Sequence, residues 1–177
     1  WSALSMALER RDPMASMFAI AALSDSSAPG NLGRLLDIAE RSPTAARQFP
    51  AFVNAARQLA NLGGTHASVK SAIDAHKSAL SAAMFGSVAS GGTACRTMAL
   101  IKIDAGAAPA DLKFLPVPVG PLSNAYLLAG QWQERWTYSG CGVQSQVALA
   151  FRADGWGGTY FNAQLVRPNP AAETAPQ

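Results

Sequence analysis

The sequence predicts an α+β fold, with helices first and a small antiparallel sheet after them. Three observations predict it. Residues 131–165 alternate apolar and polar side chains in three successive runs. Residues 12–85 fall into segments whose apolar residues recur at helical spacing, all but the one from Leu32 opened by a capping residue or a proline. Glycine clusters separate the alternating runs, as hairpin turns require.

The helical half comes first. Ser2 to Arg11 places Leu4 and Leu8 one turn apart. Asp12-Pro13 ends that helix and opens the next, with Asp12 as N-cap and Pro13 at the first helical position, where a missing N–H costs nothing. Met14, Met17, Phe18 and Ala21 are expected to form the apolar stripe of this second helix. Ser24 to Gly30 reads as a loop. A third helix covers about Leu32 to Arg41, with Leu35, Leu36 and Ala39 inward. Ser42-Pro43 repeats the cap-and-proline device, and a fourth helical segment runs to about Leu62. Pro50 inside it predicts a kink or a break near Phe49. Gly63-Gly64 closes it. Thr65 or Ser68 caps a fifth helix that carries Val69, Ile73 and Leu80 and runs to about Phe85.

Ser87 to Gly92 (SVASGG) reads as a linker. The expected division is a helical half over residues 1–86, a linker over 87–96, an antiparallel β half over 97–166 and a flexible tail over 167–177, with one single domain as the other arrangement. Thr97 to Asp104 reads as a strand that pairs with the later meander. Gly106 to Gly120 is a Pro/Ala-rich connection, and Pro116, Pro118 and Pro121 predict extended backbone. Ser123 is expected to cap one or two helical turns through Leu128, stopped by Gly130.

The meander follows. In its first strand Trp132, Glu134, Trp136 and Tyr138 share a face, opposite Gln133, Arg135 and Thr137. The second puts Val147, Leu149 and Phe151 on one face. The third puts Phe161, Ala163 and Leu165 there. Ser139-Gly140-Cys141-Gly142 and Asp154-Gly155-Trp156-Gly157-Gly158 supply the turns. A sheet of this size with one apolar face needs a cover, and the helices provide it.

Composition narrows the function classes. Charged residues are 14% of the chain, against about 25% in ordinary soluble domains. The 14 Lys and Arg are scattered, so nucleic-acid binding has no basis in the sequence despite a net charge of +3. No run approaches the roughly 18 apolar residues of a membrane span. The chain opens on Trp1 without an apolar leader, and the expectation is that a signal peptide has been removed. Cys95 and Cys141 are expected to pair across a loop of about 46 residues, which points to an oxidising compartment, periplasmic or extracellular. Two free buried thiols are the other reading.

Motifs for chemistry are sparse. His66 and His76 are ten residues apart, not at the spacing of a helical metal pair, so no metal site is expected. No Gly-x-Ser-x-Gly elbow occurs, and Gly155-x-Gly157-Gly158 lacks the Lys-Ser/Thr of a phosphate cradle, so no cofactor is expected. Glu134 is the one catalytic candidate. Buried between two tryptophans it needs a cationic or hydrogen-bonding partner, or its pKa rises and it could serve as a general acid; the other readings are an edge carboxylate snorkelling out to solvent or one paired with an arginine such as Arg96. Trp156 at a hairpin tip is either a partner anchor or folded back on the sheet edge. The polar sheet face offers Gln133, Arg135, Arg152 and Tyr160 beside Gln144, Gln146, Asn162 and Gln164.

Two resemblances add to this reading. Trp132-x-Glu134-x-Trp136, with Cys141-Gly142 and the Asp-Gly…Gly-Gly-Thr hairpin, resembles uncharacterised small secreted or envelope proteins of proteobacteria. That resemblance implies compartment and domain type, and no activity. Leu8 to Pro13 and Ala39 to Pro43 lie about 30 residues apart at helix junctions, which is similar to tetratricopeptide-type helical repeats. An ordinary bundle of proline-started helices has the same dipeptides.

The functional expectation is therefore a non-catalytic protein-interaction or accessory module of the bacterial envelope or secreted fraction. Its binding residues would be Trp156, Arg135, Tyr160, Gln133 and Arg152. The alternatives are a hydrolase with a site between helices and sheet, using Glu134 or a histidine, and a small-molecule binder in the cleft between the two halves, which an apolar cavity lined by Met and Phe would indicate.

Overall fold

A computed structural model describes residues 6–8, 10–89, 95–116 and 126–166. The order is α1 (Pro13–Ser24), α2 (Asn31–Arg41), α3 (Pro43–Ala46), α4 (Pro50–Asn61), α5 (Val69–Ala89), β1 (Ala99–Asp104), β2 (Lys113–Phe114), β3 (Leu127–Ala129), β4 (Gln131–Gly140), β5 (Val143–Ala153) and β6 (Thr159–Leu165). Residues 6–8 are also helical. The α+β class and its helix-first order are those the sequence predicts.

Local chemistry explains the helix boundaries. The Asp12 carboxylate accepts from the Ala15 N–H at 2.9 Å, and Pro13 begins α1. The fourth predicted segment breaks where Pro50 requires it: α3 has four residues, and α4 starts at Pro50. At the end of α4, the Gly64 N–H reaches Leu59 O at 2.8 Å and the Gly63 N–H reaches Ala60 O, the paired bonds of a Schellman cap. Ser68 caps α5 by accepting from the Ser71 N–H. The two junctions that resemble a repeat open helices of very different length, 12 residues after Asp12 and four after Ser42.

Three expectations need correction. Met14 and Phe18 are not inward: they are 62% and 69% exposed. Helix α1 buries Ala15, Ala19, Ile20 and Leu23 instead. It is apolar on every side, so spacing alone selects no face, and the small residues are the ones that admit a close neighbour. Second, α5 continues to Ala89, so Ser87–Ala89 of the expected linker are helical. Ser-Val-Ala contains no breaker. Third, Leu127 and Leu128 form a strand, not the end of a helical turn. Leu127 is fully buried and pairs with Phe114 of β2, so tertiary pairing overrides local propensity. Residues 1–5, 9, 90–94, 117–125 and 167–177 lie outside the described residues. With them go Leu4, Gly91-Gly92, Pro118, Pro121, Ser123 and the expected tail.

The main sheet has the order β1-β4-β5-β6, antiparallel throughout; β2 and β3 form a second, two-stranded sheet. The inner face of the main sheet carries Trp132, Trp136, Tyr138, Val147, Leu149 and Phe151, all buried. Helix α5 lies on this face against β5 and β6. It presents Ala72, Ala75, Ala79 and Ala83, each at most 1% exposed, and side chains this small let the helix sit close to the sheet. One contiguous core runs from Ile20 and Leu35 in the helices to Phe151 in the sheet.

Cys95 and Cys141 are disulfide-bonded, with Cα atoms 5.8 Å apart. The β4–β5 turn is two residues long, and Cys141 and Gly142 both have positive φ, 51° and 77°. That conformation matches the twist of a tight hairpin. The chain before β1 crosses directly over it. A Cβ on Gly140 would sit 2.7 Å from Thr97 O and 3.0 Å from Cys95 Sγ, so only glycine fits beneath the bond. The disulfide thereby fastens the segment after α5 to the sheet. On the loop-entropy model a cross-link over this separation is worth about 4 kcal/mol, and less in many proteins. Reduction should therefore lower the thermal midpoint by roughly 10 °C. Calorimetry with and without reductant checks this, and the Cys95→Ser/Cys141→Ser double variant should reproduce the reduced value.

Candidate functional site

Glu134 sits at the centre of the inner face, 3% exposed. Strand parity places the residues two positions before and after it on the same side, so Trp-x-Glu-x-Trp brackets one carboxylate with two indoles. The Trp132 Nε1–H donates to Oε1 at 3.0 Å, and the Trp136 Nε1–H donates to Oε2 at 2.8 Å. The other donors come from the loop between α4 and α5. The Thr65 hydroxyl lies 2.7 Å from Oε1 and 2.8 Å from Oε2. The His66 backbone N–H donates to Oε1 at 2.9 Å.

Gly63 makes that approach possible. It has φ 116°, and a Cβ there would lie 2.4 Å from Ile103 O. The absence of a side chain lets the Ile103 N–H reach Leu62 O at 2.7 Å, tying the end of α4 to the edge of β1. The chain then turns Thr65 and His66 onto the carboxylate.

Of the partners the sequence offers Glu134, hydrogen-bond donors are the ones present: Arg96 is exposed, and no described ion pair involves Glu134. Neutral donors take that role. Both oxygens are engaged by at least two donors, which leaves the carboxylate no lone pair to offer a substrate. Its position makes it a structural clasp between loop and sheet. His66 contributes its backbone here, not its ring.

The polar face of the sheet is separate. Gln133, Arg135, Arg152 and Tyr160 are all exposed there, opposite Glu134. Register sets Arg152 across from Tyr160 on β6 and from Gln131 on β4. The Arg152 guanidinium lies 5.8 Å from the Tyr160 ring centre, a cation–π contact. Gln133 and Arg135 lie farther along β4. Trp156 stands in the β5–β6 turn at the Arg152–Tyr160 end, 80% exposed. The Asp154 carboxylate accepts from the Trp156 N–H at 2.7 Å and the Gly158 N–H at 3.0 Å. The Gly157 N–H donates to Leu127 O at 3.0 Å, and the Tyr126 ring packs against Gly157. The indole is thus presented on a fastened loop and is not folded back on the sheet.

A third feature has no counterpart in the motifs of the sequence. A cleft of about 500 Å³ opens between α4, α5 and the β1–β4 side of the sheet. His76 lines it together with Leu59, Leu62, Ile73, Leu100 and Trp136. The small-molecule alternative anticipates Met and Phe walls; the observed walls are aliphatic, with Trp136. His76 Nδ1 lies 3.1 Å from the Tyr138 hydroxyl, and the two rings stack with centres 5.7 Å apart. Burial lowers the His76 pKa from its ordinary value and raises that of Tyr138. Tyr138 is legible as an inward residue by parity. Its pairing with a histidine 62 positions earlier has no local signal. Among the described residues no cluster of three or more His, Cys, Asp or Glu could hold a metal ion.

Glu134→Gln places an amide NH₂ against donors that have nowhere to turn, and should cost roughly 2–4 kcal/mol. Urea denaturation measures it, and unchanged stability would remove the clasp. His76 is held below its ordinary pKa in the folded state, so the unfolded chain binds the extra proton first as pH falls. Its contribution is therefore present above about pH 6.5 and is lost on acidification. Between pH 7 and 5 wild type should lose more stability than His76→Gln, which does not titrate.

A scan against protein-family models, a search of curated proteins and a search of solved structures each found no match to this chain.

Proposed function

We propose that this chain is a non-catalytic protein-binding module that works outside the cytoplasm, in the bacterial envelope or secreted fraction. It engages its partner through Trp156 and the polar sheet face around Arg152, Tyr160, Gln133 and Arg135. The observation that carries this reading is the Trp156 hairpin. A tryptophan 80% exposed forgoes the burial that would stabilise it in a core. Here its loop is also held by Asp154 and Leu127, so little conformational freedom remains to be lost on binding. Rigid, exposed aromatic residues beside arginine and tyrosine have the composition of binding hot spots. The disulfide supports the compartment, because such bonds persist in oxidising surroundings. Among the described residues no helix is long and apolar enough to cross a membrane. The resemblance to envelope proteins of proteobacteria points the same way.

The hydrolase alternative draws no support from Glu134, whose oxygens are already engaged. It draws none from the cleft either, where among the described residues no serine, cysteine or carboxylate accompanies His76.

Capture from the envelope fraction of the source cell, with wild type and Trp156→Ala as baits, tests the proposal. Trp156→Ala should weaken recovery of a specific partner by about 30-fold or more, as for a hot-spot residue. It should leave the thermal midpoint unchanged, since the side chain is exposed. Equal recovery by both baits overturns the reading.

A further inference from the structure

The cleft beneath the helices is independent of the polar sheet face, and its chemistry is selective. Its walls are aliphatic: Leu59 and Leu62 from the end of α4, Ala72 and Ile73 from α5, Leu100 from β1, with Trp136 beside them. Gln58 and Asn61 also line it, and both are exposed, which puts them at the rim. Among the described residues no Asp, Glu, Lys or Arg lines it. An ion entering such a space would lose its hydration and meet no countercharge. The volume of about 500 Å³ is within the range of small-molecule sites.

Among the described lining residues His76 is the one ionisable side chain. Tyr138 is fully buried, and the partner of its hydroxyl is His76 Nδ1 at 3.1 Å. A buried O–H needs an acceptor more than a buried lone pair needs a donor. The phenol therefore donates, and Nδ1 accepts. In a neutral imidazole the proton then sits on Nε2. Burial keeps both groups in these forms near neutral pH, since it lowers the histidine pKa and raises that of the tyrosine. Among the described residues Nε2 has no hydrogen-bond partner, and it is not among the polar atoms sealed from solvent. The histidine thus lines the cleft as a fixed hydrogen-bond donor, held in one tautomer and one orientation by Tyr138.

We propose that this cleft binds an uncharged, largely apolar small molecule that offers a hydrogen-bond acceptor to His76 Nε2. The walls take the apolar body, and the imidazole N–H selects an oxygen or nitrogen acceptor on it. Gln58 and Asn61 can meet a second polar group at the mouth.

Fluorescence titration with two uncharged naphthalene probes tests this. One is 6-propionyl-2-dimethylaminonaphthalene, which carries a ketone. The other is 2-dimethylaminonaphthalene, which has none. Wild type should bind the ketone saturably, with a blue-shifted emission, and about tenfold more tightly than the ketone-free probe, as one hydrogen bond predicts. His76→Phe should bring the two probes to the same affinity by weakening the ketone alone. Ala55→Trp, which fills the partly exposed lining position Ala55, should abolish binding of both with circular dichroism unchanged. Should either variant misfold, methyl resonances of Leu59, Ile73 and Leu100 in wild type report the site directly, by shifting on titration. Absence of saturable binding overturns the proposal. Equal affinity for the two probes in wild type, a ketone preference that survives His76→Phe, or resonance shifts confined to other regions of the protein would each do so as well.

Discussion

The Glu134 carboxylate is the joint on which the two halves depend. A buried charged group is costly unless its oxygens are satisfied. Here the satisfaction comes from both halves at once: two indoles from the strand itself, and a hydroxyl and an amide from the loop that joins α4 to α5. Removing either side would strand the other. The arrangement therefore couples the placement of the helical half to the register of β4, and a slip of one residue in that strand would turn the carboxylate and both tryptophans to solvent.

The clasp lies next to the Ile103 N–H to Leu62 O bond that holds the end of α4 against β1, and the cleft opens beside this junction, along Leu62, Trp136 and His76. The alanine face of α5 sets the other wall. Small side chains bring α5 close over β5 and β6, whereas α4 stands off β1 and β4. The space between is shaped by the size of side chains rather than by a gap in the chain. The Tyr138–His76 pair lies where the close-packed side meets the open one.

The outer face obeys different rules. It is polar, uncovered and outside the joint, so its residues are free of packing demands. The β1 edge carries a bulge at Ile101, with charged Lys102 and Asp104 after it, features that discourage an added strand. The opposite end of the sheet carries the Trp156 hairpin, fastened to β3 through Leu127. The exposed indole is thus built on a turn that is hydrogen-bonded both within itself and to β3 of the short β2–β3 sheet.

Much of this was determined by the sequence alone. Period-two alternation is strict between 131 and 165, and a sheet with one buried face admits one parity, so inward Trp132, Glu134, Trp136 and Tyr138 and outward Gln133, Arg135, Arg152 and Tyr160 were legible. Proline and capping residues likewise dictated where α1, α3 and α4 begin, because their backbone restrictions act locally. Tertiary structure decided the rest. Helix α1 is apolar all round, so only its neighbours choose Ala15, Ala19 and Ile20 over Met14 and Phe18. Leu127 is a strand residue because β2 and the Trp156 turn supply its hydrogen bonds. The loop donors Thr65 and His66 reached Glu134, and His76 found Tyr138, through contacts that join residues more than sixty positions apart. Periodicity and capping are properties of neighbouring residues; a partner brought in by folding leaves no trace in the spacing of either segment.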